Sequence, residues 1–196
     1  MKPEEAIKQL RESKKRKFSQ TFDLIINLGY IDLNKPENKF SKNVILPNGR
    51  GKDIGVSIIS DRVPNSITKL DLEKMNKERI KELVNKNEFF ICEAPLMPLV
   101  GKILGRYLGP KGKMPTILPP GMDPKKLIAD AKKSVRIIVR DSPIIYTTVG
   151  TETMDNNSII ENVNKVLEET KKALPGKVKI RSIFLKLTMS KPVRLD

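Results

Sequence analysis

The chain has 196 residues, with 38 Lys and Arg against 23 Asp and Glu, a net charge of +15 and a pI near 9.9. Hydrophobic residues at 38% and charged residues at 31% describe a folded protein with a generous polar surface and exclude a disordered one. There is no His or Trp and one cysteine, Cys92, which excludes His-based catalysis, Ser-His-Asp triads, His- or Cys-type metal sites and an internal disulfide.

The elements follow in chain order. PEEAIKQLRESK (3–14) predicts a helix, with Pro3 and two Glu at its start and Ala6, Ile7 and Leu10 on one face. TFDLIINLG alternates Phe22, Leu24, Ile26 and Leu28 against polar neighbours, the pattern of a half-buried strand. KNVILPNGRGKDIGVSIIS reads as two strands joined by a turn at Pro47–Gly51, and DRVPNS marks a boundary. A charged helix near 76–86, the strand EFFICEA, a Leu/Met/Gly-rich helix, the helix DPKKLIADAKKS capped by Asp123, and the strand VRIIVR then form a β/α alternation. That alternation predicts a small parallel layer. After DSP (141–143) come the strand IIYTTVGTETM, an amphipathic helix carrying Ile159, Ile160, Val163, Val166 and Leu167, and a last strand, KVKIRSIFLKLTMS. The apolar parity of that strand changes between Ile180 and Ile183, so a bulge near Ser182 or burial on both faces is expected.

Together these predict an α/β protein: an α+β two-layer split domain, residues 1–61 with 143–196, and an inserted Rossmann-like three-layer α/β domain, residues 62–142. The N-terminal stretch MKPEEAIKQLRESKKRK has no apolar core, so no secretory signal is expected, and no apolar run approaches the ~20 residues of a membrane span.

Roughly 2–8 net charges suit a small domain, so +15 points to a polyanionic partner. The three predicted segments carry +5 (1–60), +7 (61–142) and +3 (143–196). Basic clusters stand at Lys14-Lys15-Arg16-Lys17, between Lys102 and Arg140, and between Lys177 and Arg194. Clustered aromatics for base stacking are missing, so RNA would be held through shape, phosphate and 2′-OH.

The stretch GRYLGPKGKMPTILPPG (105–121) tests a nucleotide-loop reading. A Walker loop needs Gly five residues before Gly112 and Ser or Thr after Lys113; Tyr107 and Met114 stand there instead. The dinucleotide pattern fails as well. What remains is a rigid basic loop, with Pro110, Pro115, Pro119 and Pro120 fixing φ and Arg106, Lys111 and Lys113 projecting charge.

The run ILGRYLGPKGKMP (103–115) resembles the signature of the ribosomal protein L-one family, the large-subunit protein of the mobile stalk on the tRNA-exit side. KFSQTFD (17–23), VILPNGRGK (44–52) and RSIFLKLTM (181–189) are similar to that family's first RNA-facing segment, its hairpin and its last strand. The resemblance spans nearly the whole chain and is closest to the archaeal branch. It implies a split RNA-binding domain with a Rossmann-like insert, no enzymatic activity, and no cofactor.

On matching positions the resemblance implies an rRNA- and mRNA-binding site of Lys17, Phe18, Thr21, Arg50, Thr188, Met189, Ser190 and Lys191. Phe18 as a core staple and Met189 as a core methionine are the competing readings. Arg106, Lys111 and Lys113 form a secondary RNA-contact set, against a purely structural reading of their loop. Two departures stand out: Ser19-Gln20 where the family often has acidic residues, and Ser190-Lys191 where it commonly has Gly-Pro. The implied partners are large-subunit rRNA, exit-site tRNA and the chain's own mRNA, with no membrane. The implied protein is a monomer off the ribosome, located in the cytoplasm on the large subunit. Two rival readings are weaker. An RNA-acting enzyme would have only Lys111, Lys113 and Asp123 as a dense polar set, and a nonspecific packing protein would not need Phe18, Thr21 and Thr188.

Overall fold

A computed structural model describes residues 1–196 except Lys15, Asn65, Pro120, Lys177 and Asp196. Lys15 and Lys177 of the basic clusters, and Pro120 of the loop, therefore lie outside the described residues. The chain divides into two units: residues 1–52 with 133–196, and residues 53–132.

The first unit rests on β1 (Thr21–Gly29), where Phe22, Leu24, Ile26 and Leu28 are all buried. β1 pairs antiparallel with β7 (Ile144–Thr151) on one side and β8 (Lys179–Leu187) on the other. A short β9 (Val193–Leu195) extends the sheet beyond β8, so the order is β7-β1-β8-β9. The inner face packs on α1 (Pro3–Arg11) through Ala6, Ile7 and Leu10, and on α6 (Asn156–Ala173) through Ile159, Val163 and Val166. The expected bulge is present: Asn27 pairs with Ser182 and Leu28 with Ile180, leaving Arg181 as the extra residue. It resets the parity of β8, so both halves of the strand turn their apolar residues toward the helices.

The second unit is a parallel sheet, β3 (Gly55–Ile59), β4 (Asn87–Glu93) and β5 (Thr116–Leu118), in the order β3-β4-β5. Its crossovers are α2 (Lys69–Lys74) with α3 (Lys77–Lys86), and α4 (Met97–Leu108). Thr68 and Asp71 form a reciprocal capping box at the start of α2. Phe90 and Cys92 bury into a cluster with Leu72, Ile80, Val84, Val100, Leu104 and Leu108. Next in the chain comes α5 (Pro124–Lys133), whose first turn is held by Asp123 Oδ1 accepting from the Lys125 N–H at 2.9 Å.

The expected boundaries, 61/62 and 142/143, lie further along the chain than the observed crossings, and two strands account for the difference. Residues 40–59 do not form a pair of neighbouring strands. β2 (Phe40–Ile45) pairs antiparallel with β6 (Ser134–Val139), whereas β3 pairs parallel with β4. The apolar run VRIIVR reads as a parallel strand of the insert, yet Val135, Ile137 and Val139 bury beside Val44 in the core of the first unit. An apolar run does not reveal its partner; only the pairing does.

Candidate nucleic-acid interface

The correct division relocates the charge. The first unit holds 24 Lys and Arg against 13 Asp and Glu, a net of +11; the second holds 14 against 10, a net of +4. The excess therefore belongs to the split unit and not to the insert.

Within that unit the polar residues of β1 point away from the helices, and Asp23 gathers them. It is only 3% exposed. Its Oδ1 accepts from the hydroxyls of Thr21 and Thr148, each at 3.2 Å, and its Oδ2 accepts from the Tyr146 hydroxyl at 2.5 Å. Partial burial, followed by the Asp23 contact, pushes the Tyr146 phenol up to about 12.

Thr21 and Thr188 complete this network at the end of the sheet. Their hydroxyl oxygens are 2.9 Å apart, the Thr21 N–H donates to Thr188 Oγ1 at 3.1 Å, and the Thr188 N–H donates to the Thr21 carbonyl at 3.1 Å. A carboxylate can only accept, so the direction of the chain is set: Thr188 donates to Thr21 and Thr21 donates to Asp23. Each threonine oxygen then retains a lone pair for an outside donor. A ribose 2′-OH is such a donor.

Gln20 holds the segments around this pair. It is buried, its Oε1 accepts from the Met189 N–H at 3.2 Å, its N–H donates to Glu152 Oε2 at 3.3 Å, and its carbonyl accepts from the Glu152 N–H at 2.8 Å. The departure at Gln20 is therefore a structural tie between three segments. Phe18 and Met189 stand beside it, 52% and 59% exposed, so neither belongs to the core. Lys17 and Lys191 are exposed as well.

Ser190 behaves differently. Its hydroxyl oxygen accepts from the Leu187 N–H at 2.8 Å and closes the turn after β8. Tyr30 is the only non-glycine residue with positive φ among the described residues, so Ser190 replaces the family glycine without left-handed strain.

Arg50 comes from the loop after β2. That loop is tied to α6 by Asn162, a fully buried residue on the helix's apolar face. Asn162 Nδ2 donates to the carbonyls of Gly49 at 2.9 Å and Val149 at 2.8 Å, and its Oδ1 accepts from the Asn48 N–H at 3.2 Å. Gly51, at φ +71°, lies so close to Thr151 Oγ1 that a Cβ would fall 2.3 Å from it. Thr151 is the register partner of Thr21, so the Arg50 loop reaches the same end of the sheet. Sequence reading missed Asp23, Gln20, Tyr146 and Asn162. An Asp within an alternating strand and an Asn on an apolar helix face were the available signals.

The secondary set lies in the second unit. Arg106 is exposed on α4. Lys111 is hydrogen-bonded to Asn85, and Lys113 Nζ donates to the carbonyls of Val84 and Asn87, both at 2.8 Å. Those carbonyls end α3, so Lys113 serves as its C-terminal cap. Gly112, at φ +64°, turns the chain out of α4 to bring Lys113 there. Among the described residues no His, Cys, Asp and Glu are grouped to hold a metal, and no helix is long and apolar enough to cross a membrane.

A basic split unit presents hydroxyl oxygens at the end of its sheet, and a parallel α/β unit is inserted into it; these features define a basic two-unit α/β protein with a polar binding surface. The chain belongs to the ribosomal protein L1p/L10e family, whose profile matches residues 10–191. It is 39% identical to the large ribosomal subunit protein uL1 of Methanothermobacter thermautotrophicus, over 97% of each chain. It is also 39% identical to that of Pyrococcus horikoshii, over 98% of this chain and 94% of the relative. With the same protein of Thermoplasma acidophilum it shares 37%, over 97% and 94%. Each of these relatives is named as a protein of the large ribosomal subunit.

Proposed function

We propose that this chain binds large-subunit rRNA on the cytoplasmic ribosome through the end of the split unit's sheet where Thr21 and Thr188 meet. The Thr21–Thr188 pair, polarised by Asp23, is the observation that carries the reading. Its two outward lone pairs accept from 2′-hydroxyls, which only RNA supplies. Phe18 and Met189 pack on ribose or base faces exposed in an irregular helix. Lys17, Lys191 and Arg50 neutralise phosphates around them, and Ser190 holds the turn that presents Thr188 and Met189. The family resemblance implies the split unit as the main grip.

The finer roles rest on that resemblance: attachment to the mobile stalk, assistance in releasing deacylated tRNA from the exit side, and repression of the chain's own mRNA through an rRNA-like site. One edge serves both RNAs in this reading, so rRNA and mRNA compete for it and free protein silences its message. The insert would meet tRNA through Arg106 and the exposed part of its loop.

The test is equilibrium binding of the full chain to a stalk rRNA fragment, the leader of its own mRNA, and a random duplex, across a salt series. The reading expects the first two to compete with one another and to exceed the duplex by orders of magnitude at every salt concentration. Equal binding to all three overturns it.

A further inference from the structure

The insert has a cavity that the RNA-binding edge does not use. It measures about 350 Å³ and lies where β3, β4 and β5 end, lined by Arg62, Glu93, Pro95, Leu118 and Met122 among others. The carboxyl ends of parallel strands are where open α/β sheets generally take ligands. All the lining residues belong to the second unit.

Its polar groups are held in place. Ser60, fully buried, donates its hydroxyl to Glu93 Oε1 at 2.6 Å. Ser60 Oγ in turn accepts from the N–H groups of Arg62 at 3.0 Å and Val63 at 3.1 Å. Ser66 closes the loop by donating to the carbonyls of Ser60 and Val63, each at 2.6 Å. One serine thus fixes both the carboxylate and the backbone that carries Arg62. Glu93 Oε2 and the Arg62 guanidinium have no hydrogen-bond partner among the described residues. The site offers an apolar cavity lined by Pro95, Leu118 and Met122, an acceptor-only group on its wall, and a cation among its lining residues.

We propose that this cavity binds a guanine nucleotide unit. The base enters between Leu118, Pro95 and Met122, its N1–H and N2–H₂ donate to Glu93, and Arg62 meets the phosphate. The selectivity follows from donor counting. Guanine presents two adjacent donors on one edge, whereas adenine and cytosine each set an acceptor beside their donor, and uracil places its single donor between two carbonyls. Only guanine satisfies a carboxylate without placing a lone pair against it. This site is independent of the Thr21–Thr188 edge.

Calorimetric titration of the full chain with GMP, AMP, CMP and UMP tests the site. Two single-stranded RNA hexamers, differing only in one central G or A, complete the set. GMP is expected to bind at least about tenfold more tightly than AMP, and Glu93→Gln to bring that ratio close to one. Arg62→Ala is expected to weaken GMP more than guanosine. A G-containing hexamer that binds more tightly than both GMP and its A-containing twin identifies a base of an RNA strand as the occupant; a hexamer pair that binds alike identifies the free nucleotide, and both uphold the site when GMP exceeds AMP. No nucleotide binding, equal GMP and AMP affinities, or an unchanged ratio in a folded Glu93→Gln overturns it. The mononucleotide titrations read only the insert's cavity and the stalk rRNA titrations only the split unit, so failure here and failure of the rRNA reading are separate results.

Discussion

Thr188→Val replaces one hydroxyl with a methyl group of nearly the same shape. In the free protein it removes the acceptor of the Thr21 N–H, a 3.1 Å bond, and the donor that reaches Thr21 Oγ1 at 2.9 Å. Thr188 is exposed, so water takes over both partners and folding loses only about 0.5–1 kcal/mol. On RNA the balance differs. The contact excludes water, and a 2′-hydroxyl that faces the new methyl group has no acceptor. The expected loss is about 1–2 kcal/mol, or roughly 5–30-fold in affinity for the stalk rRNA fragment. No phosphate contact is removed, so the slope of log K against log salt stays the same, whereas Lys191→Ala should flatten it by about one unit. Thr188→Ser keeps the oxygen and should bind like the wild type. The assay is filter binding or calorimetry on the three proteins with the rRNA fragment and a random duplex. An equal loss on both RNAs, a serine variant as weak as the valine one, or a silent valine variant would refute the reasoning.

Other substitutions probe the supports of the edge. Asn162→Ala leaves the buried Gly49 and Val149 carbonyls without their donor, while the Asn48 N–H turns to water, and should cost about 2–3 kcal/mol, read as a lower denaturant midpoint with an unchanged m-value. Lys113→Met uncaps α3 and should cost about 1–2 kcal/mol, with faster amide exchange at the end of that helix and little change in the affinity or salt slope for rRNA. Tyr146 has a folded pKa of about 12, raised above the ordinary 10, so its contribution is complete below pH 10 and is lost as pH rises toward 12. Tyr146→Phe should flatten that alkaline limb in a pH series of thermal melts; an unchanged limb would show that the phenol does not cause it.

The sequence by itself determined the class of the protein. Charge pointed to a polyanionic partner, the run ILGRYLGPKGKMP carried the family resemblance, and local patterns located β1, α3, β4, α4, α6 and a change of apolar parity in β8 that left a bulge or two-sided burial as its readings. Those features are written in neighbouring residues, because burial alternates every two residues in a strand and every three or four in a helix. Partner choice is not local. β2 and β6 lie about 90 residues apart and could be joined only by the tertiary structure, and the division that follows from that pairing gives the split unit +11 and leaves the insert with +4. The same holds for the candidate edge. Thr21 and Thr188 were legible as residues, but their contact with each other, the bonds of Tyr146 and Thr148 to Asp23, and the bond by which Gln20 holds Met189 join segments more than 120 residues apart. The direction of those bonds, and so what the surface offers to a partner, was decided when β1, β7 and β8 came together around one carboxylate.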